Sequence, residues 1–209
     1  MKEDGEKLRG FFASKFPASI FHAHLEEGGL IYSYPRVQYA VVEGVPIVTG
    51  IEEGKEAVKR LVECDTYLSL GKNKYKIREW RLETGEAEIG ACREEHSYMF
   101  VTPWLPFNSK NYRKYKETKD WKEKKKLLNS ILIGNILSMS KGLNQVVEKR
   151  IFVRSLLKQE EAKFKGIQFK AFKGKFKVNF KLPSLIGLGK GVSRGFGKVV
   201  EDFQEQLKY

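Results

Sequence analysis

Along the first half of the chain the spacing of apolar residues switches between helical and extended periods. Leu8, Phe11, Phe12 and Phe16 share one face at helical spacing. This predicts a helix over 5–16, with Asp4 as N-cap and Pro17 as its stop. Phe21–Leu25 follows, closed by the acidic turn Glu26–Gly29. Leu30–Tyr34 and Val37–Val42 read as strands separated by Pro35, and a turn at Glu43-Gly44 leads into a short strand, Pro46–Thr49. A second helix is predicted over 52–62, with Ala57, Val58, Leu61 and Val62 facing inward. Residues 66–90 alternate as two further strands.

The second half repeats this logic loosely. His96–Leu105 is apolar and bounded by Pro103 and Pro106, a strand ending in a turn. Residues 110–126 are polar and basic, with Tyr112, Tyr115 and Trp121 interspersed; an aromatic–basic stretch of this kind is a further RNA surface in principle, without singling out any one residue. Leu128, Ile131, Leu132, Ile136 and Met139 form the buried stripe of the strongest predicted helix, 127–143. Val147–Leu156 is strand-like. Ile167–Phe172 and Lys175–Leu182 predict a hairpin around Lys173-Gly174, in which Phe176, Val178, Phe180 and Leu182 point one way and Lys175, Lys177, Asn179 and Lys181 the other. The pattern is that of an α+β protein, divided into domains 1–94 and 95–209. No run of about 18 apolar residues spans a bilayer, and no signal peptide opens the chain. Two cysteines, Cys64 and Cys92, are too few for a disulfide scaffold, which makes the reducing cytoplasm the expected compartment.

Charge sharpens the picture. The 209 residues hold 39 Lys+Arg and 26 Asp+Glu, a formal net of +13. Residues 1–108 carry 14 basic and 17 acidic groups, whereas 109–209 carry 25 and 9. A basic field gathered into one half is the footprint of a polyanion site, nucleic acid first and an anionic membrane surface second.

The run Gly187-Leu-Gly-Lys-Gly-Val-Ser-Arg-Gly-Phe-Gly197 adds five glycines in eleven residues. Gly187, Gly189, Gly191, Gly195 and Gly197, with Lys190, Ser193 and Arg194, suit a loop that brings main-chain N–H groups and cations to phosphates. Glycines that merely turn the chain or fit a tight packing are the plainer alternative. Ser184 stands where a Walker loop needs its first glycine, and Val192 where a dinucleotide fingerprint needs its last. A nucleotide-binding protein is therefore disfavoured. The stripe Lys175, Lys177, Lys181 runs into this loop, which favours a role in tracking a nucleic-acid backbone over a merely solvated face.

Together, "GLGKGVSRGFGKV", "ILIGNILSMSKGL", "TPWLPFN", "IYSYPRVQY" and an N-terminal "LRGFF" resemble the CRISPR-associated repeat-RNA-processing endoribonucleases of the RAMP superfamily, in their b-type branch. The resemblance spans Leu8 to about Val200. It implies two ferredoxin-like (RRM-like) halves with antiparallel sheets, and cleavage within CRISPR repeat RNA without a metal or cofactor. One departure stands out: about five polar residues precede the first helix, where that plan begins with a strand, so the first half is expected to lack its initial strand or the chain to start late.

Cleavage without a metal uses the ribose 2′-OH as nucleophile and needs a base, an acid and a cation. His22, His24 and His96 are the three histidines, and the first two fall just after the first helix, where the family places its catalytic histidine. His24 is the first candidate for general acid or base and His22 the second. Tyr32 and Tyr34 are candidates to orient the 2′-OH or bind the scissile phosphate, and Lys15 to stabilise charge. A zinc site using His22, His24, Cys92 and His96 lacks a second cysteine pair, and no metal is expected. The expected partner is CRISPR repeat RNA, with other CRISPR-associated subunits and a homodimer left open. The alternative is a non-catalytic RNA-binding subunit of a CRISPR ribonucleoprotein.

Overall fold

Residues 4–15, 34–62 and 66–202 are described by the structure, a computed structural model. His22, His24 and Tyr32 lie outside the described residues. The chain forms two units: one runs to Glu86 and includes Val192–Gly195, and the other comprises Ala87–Gly191 and the chain from Phe196 on.

In the first unit, helix α1 (Gly5–Lys15) starts as its N-cap predicts, with the Lys7 N–H donating to Asp4 Oδ1 at 2.9 Å. Leu8 and Phe12 are its buried residues along with Gly5. Strands β1 (Val37–Val42) and β2 (Val45–Gly50) pair through the two-residue turn at Glu43-Gly44, with Val42 opposite Val45. Helix α2 (Gly54–Val62) follows, then a second hairpin, β3 (Tyr67–Leu70) and β4 (Asn73–Lys76). Leu8, Phe12, Val37, Tyr39, Ala57, Leu61, Leu68 and Leu70 form the core of this unit. Apolar residues at period 3.6 in the helices and in alternation on the strands meet there.

The second unit contains β5 (Gly90–Trp104), α3 (Ser109–Glu117), α4 (Trp121–Gly142), β6 (Val153–Phe164), β7 (Ile167–Lys181) and β8 (Val199–Glu201). Its sheet is antiparallel in the order β6-β7-β5-β8. Counted within the unit this is 2-3-1-4, the ferredoxin-like order. Helices α3 and α4 occupy the first crossover. The second crossover, Leu182–Lys198, carries the glycine-rich run and, beyond a 3₁₀ turn at Val192–Arg194, no helix. The predicted α4 stripe is buried residue for residue: Leu128, Ile131, Leu132, Ile136 and Met139. A chain of rings fills the sheet's inner face, with Phe100 5.1 Å from Phe176 and stacked 5.4 Å from Trp104.

The predicted hairpin at Lys173-Gly174 is corrected. The turn is at Lys165-Gly166, and β7 continues straight through Gly174, opposite Leu157 of β6. A Cβ added at Gly174, where φ is +134°, would stand 2.2 Å from the Leu156 carbonyl oxygen. The glycine is there because two strands approach closely, not because the chain reverses. Strand β6 likewise extends well past the predicted Leu156. No helix among the described residues is long and apolar enough to cross a membrane.

Candidate nucleic-acid interface

Strand alternation in β7 does what the sequence predicts. Phe176, Val178 and Phe180 are buried, and Lys175, Lys177 and Lys181 emerge on the other face. Arg154 of β6 sits opposite Lys177, so the basic stripe widens there across the strand pair, while an exposed Leu156 faces Lys175. These cations are engaged. Lys175 Nζ lies 2.6 Å from the buried Asp202 Oδ2, Lys181 pairs with Glu88, and Arg154 pairs with Glu95. Glu88 holds the Lys181 ammonium above its usual range, and Lys181 holds the Glu88 carboxyl below its own. A phosphate arriving on this face must exchange with a carboxylate already there.

The glycine-rich run is shaped by the protein itself. Gly189, Gly191, Gly195 and Gly197 all have left-handed φ. At Gly197 a Cβ would stand 1.9 Å from the Leu188 carbonyl oxygen. The loop's backbone is tied down on both sides, with Leu188 N–H donating to Gly197 O at 2.9 Å, Gly197 N–H to Pro103 O at 2.8 Å and Lys190 N–H to Leu105 O at 3.1 Å. Gly187 bridges to Lys198. The tight-packing account of these glycines is thus satisfied within the protein, and what the loop offers outward is Lys190. Its side chain is exposed, with Nζ 5.0 Å over the Phe169 ring.

Val192–Gly195 belongs to the first unit, where Arg194 pairs with Glu6 in the first turn of α1 and Ser193 is half-buried in the 3₁₀ turn. Lys15 ends the same helix, nine residues further on, which at 1.5 Å per residue is about 14 Å away. Arg194 and Lys15 are therefore held at opposite ends of α1. Lys15 Nζ sits 4.9 Å over the Phe11 ring and lines, with Lys7, Ser14 and Gly71, an open groove of about 500 Å³. Tyr34 is half-buried just before β1. Of the candidate catalytic residues, Lys15 and Tyr34 are described; His22, His24 and Tyr32 are not.

Lys198 is the residue that sequence reasoning missed. It is fully buried, and its Nζ donates to the Leu185 carbonyl at 2.7 Å while its N–H donates to Thr102 Oγ1 at 2.9 Å. The only hint was its place between Gly197 and the two valines that open β8. Burial pushes the ammonium down to about 7 from the usual 10.5. The unfolded chain therefore binds a proton that the folded protein gives up between about pH 7 and 10.5, so this group makes stability rise with pH across that window. Lys198→Met, of similar length but uncharged, is expected to flatten the dependence. Thermal unfolding across pH 7–10 should show the wild-type Tm climbing more steeply than the variant's; equal slopes would contradict the assignment.

His96 lies on β5, with Nδ1 3.8 Å from Glu201 Oε1. It packs beside Tyr98, whose hydroxyl accepts from the Leu182 N–H at 2.8 Å. This is a structural setting, in keeping with its separation in sequence from the other histidines. Trp104 is also structural, fully buried with Nε1 donating to Asn135 Oδ1 at 3.0 Å.

Comparison with known proteins fits this arrangement. Residues 1–88 match the Cas6b N-terminal domain and residues 90–202 the Cas6b C-terminal domain. An uncharacterized protein of Methanocaldococcus jannaschii is 46% identical over 115 residues, 54% of this chain and 77% of its own. A crystal structure of Cas6b aligns with TM-score 0.87 and 34% identity over 95% of this chain and 91% of that one. A second, of the CRISPR RNA processing endoribonuclease Cas6b, aligns with TM-score 0.70 and 32% identity over 95% and 90%. A type IV Cas6 crRNA endonuclease, Csf5, shares the fold at TM-score 0.55 and 14% identity, covering 97% of this chain and 81% of its own. With both of its halves matched by the domains of one family, the chain belongs to the Cas6b family.

Proposed function

We propose that this protein binds and cleaves CRISPR repeat RNA as an endoribonuclease that needs no metal. The observation that carries the reading is the end-to-end likeness to a CRISPR RNA processing endoribonuclease at 32% identity. The basic second half and the outward-facing Lys190 support it. In this reaction a base removes the proton from the ribose 2′-OH, and the 2′-oxygen attacks the adjacent phosphorus. The P–O5′ bond breaks, and an acid protonates the leaving 5′-oxygen. The products are a 2′,3′-cyclic phosphate and a 5′-hydroxyl. His24, with His22, is assigned the proton transfers. Tyr32 and Tyr34 are assigned to orient the ribose and phosphate. Lys15, at the exposed end of α1, is assigned to offset the charge that builds on the phosphorane.

In the second unit, Lys175, Lys177, Lys181 and Lys190 are assigned to the RNA backbone. The carboxylates that now pair with Lys175 and Lys181 keep the face near neutral until phosphates replace them. In the first unit, Ser193 and Arg194 are assigned the same role. Incubating end-labelled repeat RNA with the purified protein in EDTA should release a fragment ending in a 2′,3′-cyclic phosphate. RNA with a single 2′-deoxyribose at the cut position should bind but stay whole. Cleavage that stops in EDTA, or that proceeds through the deoxy position, would overturn the mechanism. Salt-sensitive binding without any cleavage would leave an RNA-holding subunit instead.

A further inference from the structure

The stretch 110–126 has no part in the site described above, yet its charge is extreme: nine Lys or Arg against Glu117, Asp120 and Glu123. It folds into α3 and the first turns of α4, joined by Thr118, Lys119 and Asp120. The fold accounts for Tyr115, which is buried against Phe107 and Phe172. It accounts equally for Asp120, whose Oδ2 caps α4 by accepting from the Glu123 N–H at 2.9 Å. It does not account for Trp121. This indole is 55% exposed at the first position of α4, together with Phe152 the most exposed aromatic side chain among the described residues. Tyr112 is 39% exposed on α3.

The cations here differ from those on the sheet. Lys175, Lys181 and Arg154 arrive already paired with carboxylates. Among the described residues no ion pair involves Lys110, Arg113, Lys114, Lys119, Lys122 or Lys125, all of them exposed. Helical spacing puts Lys110, Arg113 and Lys114 on one face of α3, and Lys122 and Lys125 on one face of α4, where Lys126 beside them pairs with Glu123 at 2.8 Å. The four Cα steps from Glu117 to Trp121 span at most ~14 Å, which keeps the two basic faces close at the junction. The exposed apolar groups beside them are aromatic rather than aliphatic. A bilayer surface would call for a continuous apolar face on the basic helix, and a folded protein partner for an apolar patch; α3 exposes neither. Flat rings set among uncommitted cations suit unpaired bases with their phosphates.

We propose that this helical hairpin is a second RNA surface, separate from the cleavage site, that holds a single-stranded stretch of the same transcript without regard to its sequence. Unpaired bases stack on Trp121 and Tyr112, and phosphates lie on Lys119, Lys122 and Lys125. The inference rests on the endoribonuclease reading only in taking the transcript as the natural ligand. Its test does not depend on cleavage.

The probe is a uridine 12-mer, titrated into the full chain while tryptophan emission and anisotropy are followed. The 12-mer should quench emission in the wild type, and Trp121→Phe should abolish that quenching while keeping the affinity within a fewfold. Trp121→Ala should weaken binding about tenfold, the effect of losing one stacked base. The combined variant Lys119→Glu, Lys122→Glu, Lys125→Glu should lower the slope of log K against log salt by about 2, at ~0.7 per single-strand phosphate. All these positions are exposed, and circular dichroism checks that each variant folds. Unchanged affinity in Trp121→Ala, or equal quenching by polyglutamate or anionic vesicles, would overturn the proposal. Repeat RNA is cut or left whole by the same preparation independently of this outcome, so failure of the cleavage reading is seen separately.

Discussion

Replacing His24 with alanine should slow repeat cleavage by about 10²–10⁴-fold while leaving the affinity for 2′-deoxy repeat RNA at the wild-type value. That range is what a positioned acid or base contributes. The separation of rate from affinity follows from the chemistry: a neutral imidazole adds little to backbone binding, but the 2′-OH is a poor nucleophile until something takes its proton. The wild-type rate should show a pH-dependent limb that vanishes from the profile of the variant. His22→Ala should be the milder lesion, because His24 is the first-choice proton carrier of the pair. If His22→Ala proves the more damaging, the two roles are exchanged. If both single variants and the double variant cut at the wild-type rate, histidine does not carry the proton, and Tyr32, Tyr34 and Lys15 become the groups to replace. Single-turnover rates on end-labelled RNA, measured beside anisotropy titrations with the deoxy analogue, decide among these outcomes.

How far the fold could be read beforehand depended on whether one periodicity held throughout an element. Helix α4 was legible because Leu128, Ile131, Leu132, Ile136 and Met139 keep a single helical phase for three turns, and all five are buried. The β1–β2 hairpin was legible because a two-residue turn separates two clean apolar runs. Strand β6 was not. Its buried positions are Val153 and Ser155 at one end but Ala162 and Phe164 at the other, so the inward parity changes across the polar run Lys158–Glu161. A strand that changes parity shows no period of two over its full length. The same obstacle hid the continuity of β7, where Ala171 and Phe172 are buried in succession and Gly174 looks like a turn residue. The lysine stripe was legible as one face of a strand, but the pairing of Lys181 with Glu88 and of Arg154 with Glu95 was not. Those partners are 93 and 59 residues apart, and only the sheet brings them together. A fully buried lysine just before β8 contradicts the usual compositional expectation for that residue type.

Gly197→Ala should be the most destructive single-methyl change in the second unit, costing at least about 3 kcal/mol and lowering Tm by roughly 10 °C for a chain of this size. Two penalties combine. An alanine held at φ +67° pays about 1–2 kcal/mol for the left-handed conformation alone. The added carbon would also lie 1.9 Å from the Leu188 carbonyl oxygen, far inside contact distance. The backbone has little freedom to relieve that clash. Leu188 N–H donates to Gly197 O, Gly197 N–H donates to Pro103 O, and Leu188 is itself fully buried. Moving either strand of the loop away breaks one of those hydrogen bonds or opens the core beneath Leu188. The consequence reaches function because Lys190 is carried on the same strand two residues after Leu188, with its N–H fixed to Leu105 O. Repeat RNA should therefore bind more weakly even at temperatures where the variant is folded. Ser193→Ala, in the same run but half-buried in the 3₁₀ turn, should change Tm by no more than the usual ±0.5 kcal/mol of a surface substitution allows. Thermal unfolding of the two variants beside the wild type, with RNA titrations well below the lower Tm, measures both effects. A Gly197→Ala protein that melts with the wild type would mean the loop is free to rearrange, and a loop that loose could not present Lys190 at a fixed place on the RNA.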